Sequence, residues 1–552
     1  MREPLDQLGT HEVFNQPGPV PEQNLFECDP CLRKAVDREG ARWATSKLAE
    51  LGEIMGRPST LQLANDANRH SPELESFDRF GRRIDEVVYH PAYHCLMDLA
   101  ISREIHSIAW TADSGGHVAH TALEYLFAQV EGGVCCPVTM TYAAVPTLKQ
   151  APDLAREWLP RLFANCYDSR FIPAGEKRGA TLGMAMTEKQ GGSDLRTNST
   201  VAQHLEGDWY GLRGHKWFCS APMSDAFLSL ARIGDDLSCF LVPRWRPDGH
   251  RNPFFVRRLK NKLGNRSNAS AEIEYDDTWG HLVGPPGRGI ATIMDMVKHT
   301  RLDTCLAPVA LMRQSLVQAL HHVRHRQAFG KTLVDQPLMR TVLADLSLEL
   351  EGAVNLLFRV ARSFDEAAAQ ADGEPFSRLA AGIAKFHLNK VAPGFVCEAM
   401  EVLGGSGYVE ESLLPRLYRE APLNGIWEGS GNVICLDVLR TALRYPESLD
   451  RFFAEVSVAT GENRHLDRSI SALKQRWQEG RKTPQALEPE ARRLTEAMAS
   501  TWQGALMCRF GDSAVADAFC ASRLGEGRHR TYGTSARSAD VAKILNSVNP
   551  GE

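Results

Sequence analysis

The hydrophobic period of this chain changes twice, and that ordering limits its possible folds more than any single residue does. From about residue 36 to 165 apolar residues follow helical spacing: Leu48, Leu51 and Met55 recur three and four apart, and Leu96, Leu99, Ile105 and Ile108 lie in a second apolar stretch. Between about 180 and 285 the pattern shortens to period two, broken by Gly, Asp and Pro. Ala271-Glu-Ile-Glu-Tyr275 alternates as a half-buried strand does, and Phe240-Leu-Val242 stops at Pro243. This block reads as an antiparallel barrel or sandwich. Helical spacing returns after Gly289, where Leu302, Cys305, Leu306, Val309, Met312, Leu316, Leu320 and Val323 form one stripe. Pro337 suits the first position of a further helix through Val342, Leu346 and Leu350. A third spans about 379–403, bent near Pro393 and stopped by Gly404-Gly405.

The expected architecture is mainly α with a central β-barrel. It divides into an N-terminal arm (1–35), a helical domain (36–178), a β-barrel domain (179–288), a helical bundle (289–442) and a C-terminal helical extension (443–552). At 552 residues the chain is long enough for several such units, and 43% apolar with 24% charged residues excludes wholesale disorder. No run of about 18 apolar residues occurs, and Met1-Arg-Glu-Pro-Leu-Asp carries no apolar signal core, so a cytoplasmic location is expected. The net charge of −5 gives no global attraction to nucleic acid, but it is uneven: the last 112 residues carry +2 and the rest −7. Cys135-Cys136 and the other cysteines suggest reduced thiols, and Cys28-x-x-Cys31 reads as a loop without metal.

Three glycine-rich polar stretches interrupt the pattern: Met184-Ala-Met-Thr-Glu-Lys-Gln-Gly-Gly-Ser-Asp194, Gly214-His-Lys-Trp-Phe-Cys-Ser220 and Ile426-Trp-Glu-Gly-Ser-Gly-Asn432. Such loops bring backbone N–H groups close to a polar ligand, and the neighbouring aromatics offer a flat wall, a combination that suits a cofactor with both ring and phosphates. No G-x-G-x-x-G, P-loop or G-x-S-x-G pattern is present. His321 and His325 have metal-pair spacing but lack the intervening Glu of a zinc helix, so a surface or packing role is expected and no metal site is assigned.

Taken in order, these stretches resemble the signatures of the acyl-CoA dehydrogenase superfamily over about residues 90–440. Thr187-Glu-x-x-Gly-Gly-Ser-Asp194 is similar to the first signature. Glu398-Ala-Met-Glu-Val-Leu-Gly-Gly-Ser-Gly-Tyr408 through Trp427-Glu-Gly429 is similar to the second, and Arg326-Gln-Ala-Phe-Gly330 to the R-x-x-F-G turn. The first string, the early His11-Glu-Val-Phe-Asn-Gln-Pro17 and the long C-terminal extension resemble the bacterial AidB branch, alkylation-response flavoproteins that also bind double-stranded DNA. The resemblance implies a helical domain, a β-barrel and a four-helix bundle, with an extra C-terminal helical domain, FAD as cofactor and a homotetramer.

By the same resemblance, Met186 and Thr187 face the polar edge of the flavin and Ser193 lies near the boundary with an acyl thioester. Phe218 takes the place of the aromatic ring wall, where many relatives carry Trp, Ser220 that of a hydroxyl near flavin N5, and Cys219 between them is a cofactor-binding residue. Arg326 and Phe329 reach the FAD of a neighbouring subunit, and Gln336 its adenosine side. Gly404 and Gly405 allow close approach across that interface, while Ile426, Trp427, Ser430 and Asn432 surround the cofactor. Glu428 is the expected catalytic base. Thr300, preceding Arg301, occupies the place where some relatives carry the base instead, and the structural alternative for Glu428 is a buried ion pair with Arg301. Duplex DNA would meet Arg440, Arg523, Arg528 and Arg530 through phosphates. Three activities remain open: an acyl-CoA dehydrogenase with isovaleryl-CoA as the best substrate, an acyl-CoA oxidase, and a DNA-binding flavoprotein with vestigial turnover.

Overall fold

The computed structural model describes residues 4–370, 373–525, 531–534 and 541–549. The first helix, Pro30–Arg38, begins inside the stretch expected to be an arm. Asp29 caps it by accepting from Leu32 N–H at 3.0 Å, and Pro30 supplies a preset first-turn φ. The other Asp29 oxygen accepts from the Tyr125 hydroxyl at 3.0 Å and pairs with Arg313 at 3.2 Å, which ties this cap to two later helices. The Cys28/Cys31 pair is drawn into the same joint: the Cys28 carbonyl accepts from Arg313, and the Cys31 thiol donates to the Ser547 carbonyl.

The N-terminal helices surround Gly116–Ala128, which is buried along its whole length. A hairpin of β1 (Glu73–Phe77) and β2 (Arg83–Val88) interrupts them. Sequence periodicity reads this region as helical. The hairpin shows only one weakly buried face, so its alternation of charged and apolar residues is faint.

The barrel strands are β3 (Leu182–Ala185), β4 (Val201–Glu206), β5 (Trp209–Ser220), β6 (Ala226–Ile233), β7 (Asp236–Pro243), β8 (Phe254–Leu259) and β9 (Ser270–Val283). Strands β6, β4, β5, β9 and β7 pair in that order and β7 pairs back to β6, so the sheet closes on itself. The expected purely antiparallel arrangement is corrected here, because β6 runs parallel to both β3 and β4. Leu212, Phe227, Phe240, Phe254, Ile273 and Tyr275 fill the interior.

Gly289–His325, Pro337–Ala369, Glu374–Val402 and Gly431–Arg444 form the bundle. Pro393 lies within a continuous helix. The helices after residue 445 extend this bundle, and one apolar cluster runs through both. A Cβ on Gly352 would come within 2.7 Å of the Phe519 ring, so glycine is what lets the extension dock there. Among the described residues no helix is long and apolar enough to cross a membrane.

Candidate active site

Glu428 sits where three bundle helices meet a tight loop. Its backbone is left-handed, with φ +55°, and Gly429 follows at +100°. That conformation costs a residue with a Cβ about 1 kcal/mol or more and persists only when its surroundings hold it. Two buried cations do so. The Lys385 ammonium donates to the carbonyls of Asn424 at 2.9 Å, Trp427 at 2.8 Å and Gly429 at 3.0 Å. Arg301 Nε donates to the Glu428 carbonyl at 3.2 Å. The loop's carbonyls are thus turned inward, and the Glu428 carboxylate is left to accept from the Thr300 hydroxyl at 2.8 Å.

Burial pushes the Glu428 carboxyl above its ordinary range, against the pull of Thr300, Lys385 and Arg301. Burial likewise lowers Lys385 to about 8. The alternative in which Glu428 serves Arg301 as its ion-pair partner is overturned. Arg301 pairs with Asp437 at 2.7 Å, and Arg378 shares the same carboxylate. The Glu428 carboxylate is therefore not the ion-pair partner of Arg301.

The first glycine-rich stretch of the barrel meets the Glu428 loop through one apolar cluster, on which both Met186 and Trp427 pack. Glu188 of the first glycine-rich stretch is fully buried and accepts from Lys216 at 2.7 Å, from the Ser199 and Thr200 hydroxyls and from their N–H groups. This anchor fixes Met186 and Thr187: Asn198 donates to the Met186 carbonyl at 2.9 Å and Trp217 N–H to the Thr187 carbonyl at 2.8 Å. A Cβ on Gly192 would come within 2.5 Å of the Thr187 hydroxyl, so that glycine keeps the hydroxyl's place open. Met186 and Trp427 pack on the same apolar cluster as Trp110, which brings the barrel loop and the Glu428 loop to one place.

Ser220 shares a hydrogen bond with Ser270 at 3.2 Å. Glu428 lies close enough to the neighbouring Cys136 for its charge to add to the burial that pushes that thiol up to about 12. Phe218 and Trp217 stand at the rim, with the Lys260 ammonium 3.2 Å from the centre of the Trp217 ring. Phe218 is half exposed and Ser193 exposed. Cys219, expected among the cofactor-binding residues, turns its side chain away from Phe218 and Ser220. Its side chain points into the barrel core and is completely buried, because strand alternation sends it opposite to Phe218 and Ser220. The donor set fits a flavin: the Thr187 and Ser220 hydroxyls are polar partners, and Phe218 and Ile426 are uncovered apolar surface that a planar ring would cover.

The Arg326–Gly330 turn projects as a small hairpin, Gln327–Ala328 against Lys331–Thr332. Phe329 at its tip is 98% exposed with φ +53°. Gln336 folds back to donate to the Ala328 carbonyl at 3.1 Å, and Arg326 donates to the Asn15 carbonyl. Asn15 also bonds both the carbonyl and the N–H of Gln327, at 2.9 and 2.8 Å, so the early His11–Pro17 stretch is a clamp on this turn. Gly404, at φ +60° and ψ −145°, and Gly405 leave open space above their backbone. Asn432 accepts from Arg492 of the extension at 2.9 Å, and Ser430 beside it is exposed.

The expected DNA-facing residues separate. Arg440 is exposed, 3.7 Å from Asp437, with Arg444 one helical turn on. Arg523 is instead part of an internal joint, paired with Asp345 at 2.7 Å and Glu349 at 2.8 Å, so it is spent on docking the extension. Arg528 and Arg530 lie outside the described residues. His321 Nε2–H donates to the Gly18 carbonyl at 2.9 Å, in a packing role. Sequence reasoning missed Lys385 and Asn15 as positioning groups. No spacing rule marks either, since each acts on backbone distant in sequence.

Comparison with known proteins agrees with this geometry. Residues 15–169 match the family described as "Adaptive response protein AidB N-terminal domain". Residues 183–278 and 287–443 match the middle and C-terminal domains of acyl-CoA dehydrogenase. The chain is 47% identical to the AidB protein of Escherichia coli (strain K12), over 93% of this chain and 94% of that one. It is 31% identical to acyl-CoA dehydrogenase family member 11 of Caenorhabditis elegans, over 91% and 87%. The crystal structure of Caenorhabditis elegans ACDH-11 in complex with C11-CoA superposes with a TM-score of 0.83 at 27% identity, covering 99% of this chain and 93% of that one. The chain therefore belongs to the acyl-CoA dehydrogenase family of FAD-dependent oxidoreductases, with an AidB-type N-terminal domain.

Proposed function

We propose that this protein oxidises a short branched acyl-CoA thioester, with isovaleryl-CoA as its best simple substrate and a low turnover. Glu428 carries the reading: a carboxylate raised by burial, held on a strained turn and bonded to one hydroxyl, is poised to take a proton from carbon. Glu428 removes the α proton, and the electron pair left behind becomes the α,β double bond as the β hydride departs. Bound FAD supplies the two-electron acceptor for that hydride. Thr300 orients the carboxylate, while Met186, Thr187, Phe218 and Ser220 bind and screen the ring. Ile426, Trp427, Ser430 and Asn432 complete the wall around it.

Low turnover follows from the two added segments. The N-terminal clamp at Asn15 holds the Arg326–Gly330 turn, and Arg492 of the extension holds Asn432 beside the Glu428 loop, contacts that would narrow access to the site. The exposed Phe329, with Arg326, Gln336, Gly404 and Gly405, supports assembly as a homotetramer in which each FAD touches a neighbouring subunit. A second function, sequence-independent binding of duplex DNA in the response to alkylation damage, rests on the exposed Arg440 and Arg444 together with Arg528 and Arg530.

Anaerobic titration of the FAD-loaded protein with isovaleryl-CoA tests the first reading. Bleaching of the visible flavin band is expected, and Glu428→Gln should slow it by about 10²–10⁴. Equal bleaching in both proteins would remove Glu428 from the reaction. For DNA, Arg440→Ala should weaken binding on every sequence and flatten its salt dependence. An unchanged salt slope would reject that surface.

A further inference from the structure

A second group of ionisable side chains lies away from the Glu428 loop contacts, between the buried helix Gly116–Ala128 and the long helix Gly289–His325. His120 and Glu124 are four apart on one helical face, and Asp303 comes from the other helix. All three are at most 4% exposed. One donor atom of each lies within 4.8 Å of the other two.

The geometry of His120 sets the chemistry. Its Nδ1–H donates to the Ile105 carbonyl at 2.7 Å, and the Tyr142 ring stacks on it at 3.8 Å. This is the outer contact that fixes tautomer and direction in a metal-binding imidazole. Nε2 is thereby aimed between two carboxylates, 3.0 Å from Asp303 Oδ1 and 3.4 Å from Glu124 Oε2. Two donors each about 2.0–2.1 Å from a tetrahedral zinc stand roughly 3.3 Å apart, and the two separations from Nε2, 3.0 and 3.4 Å, lie on either side of that value. Glu124 Oε2 and Asp303 Oδ2 are buried and accept no hydrogen bond. Among the described residues, no lysine or arginine pairs with either carboxylate.

Two buried carboxylates facing one imidazole nitrogen cannot both stay ionised unless a proton or a cation lies between them. A divalent cation neutralises both and uses the lone pair on Nε2 at once. The Thr139 hydroxyl, donating to Glu124 Oε1 at 2.9 Å, orients the second oxygen inward. We propose that His120, Glu124 and Asp303 form a structural site for a divalent first-row transition metal, zinc being the best match to the nitrogen and oxygen donors. The site pins the helix that carries Thr300 and Arg301 to the N-terminal domain, and it does not depend on the reaction assigned to Glu428.

Full-length protein from zinc-supplemented cells should carry about one zinc per chain by elemental analysis. Dialysis against a chelator should lower its melting temperature, and added zinc should restore it. Asp303→Asn and Glu124→Gln should each weaken zinc retention by roughly tenfold or more while flavin content is kept, which shows that the fold survives. The proposal is overturned if zinc-replete protein holds no metal and its melting temperature ignores both chelator and zinc. It is also overturned if Glu124→Gln, a mimic of the protonated acid, matches the wild type in both metal content and stability, since a shared proton would then bridge the carboxylates in place of a metal.

Discussion

Replacing Lys385 by Met removes the ammonium that holds the Glu428 turn while keeping the length of the side chain. Three carbonyls, of Asn424, Trp427 and Gly429, lose their donor in a place water reaches poorly. Bonds to a charged donor are each worth about 1.5–3 kcal/mol, offset here by the relief of desolvating a buried ammonium, so a net loss of about 2–4 kcal/mol at the loop is expected. Glu428 at φ +55° also has about 1 kcal/mol or more of strain to release once the turn is loosened. At 1.36 kcal/mol per decade, the rate of flavin reduction by acyl-CoA should fall by about 10²-fold.

The pH dependence adds a sharper signature. Burial lowers Lys385 to about 8 from an ordinary value of 10.5. The folded chain therefore sheds this proton before the unfolded chain does. Between those two values the unfolded state binds more protons, so the Lys385 contribution to global stability rises with pH. The catalytic turn, by contrast, needs the charge. Reduction of the flavin should decline above about pH 8 while the melting temperature does not fall in step. Rapid-mixing reduction and thermal melts from pH 6 to about 9.5 on wild type, Lys385→Met and Lys385→Arg measure both quantities. Wild-type rates in the methionine variant, or a decline that tracks unfolding, would refute the reasoning.

Thr300→Val removes the donor that lowers the Glu428 carboxyl, so the acidic limb of the rate profile should move to higher pH; a limb that stays in place would show that Thr300 does not tune the base. Lys216→Met strands the Glu188 carboxylate, which is 0% exposed, and should destabilise the barrel by about 3–5 kcal/mol in denaturant melts. Lys216→Met together with Glu188→Gln should recover much of that loss, and failure to recover would mean that packing, not charge, is the cause.

The stripe from Leu302 to Val323 and the alternation in Ala271–Tyr275 were readable because their apolar residues recur at the period of the element, although both elements are buried on more than one side. The β1–β2 hairpin was not, since its faces differ little in burial. Parallel pairing of β6 with β3 and β4 leaves no trace in period two, which is the same for either direction. Cys219 shows the limit of a carried-over motif: neighbours on a strand point to opposite faces, so adjacency to Phe218 did not make it part of the wall. Glu428 was legible as a carboxylate in a motif, but its protonation behaviour was not.

The order of helical block, barrel and bundle and the three glycine-rich loops, one of which carries Glu428, are properties of the sequence, because periodicity and local turn chemistry act over a few residues. Which cation meets which carboxylate was decided only by the tertiary structure. Arg301 is given to Asp437, Arg523 is turned inward to Asp345 and Glu349, and Lys385 is used on three carbonyls of a loop some forty residues away. Electrostatic pairing depends on distance in space and on desolvation, and both are set when the helices pack.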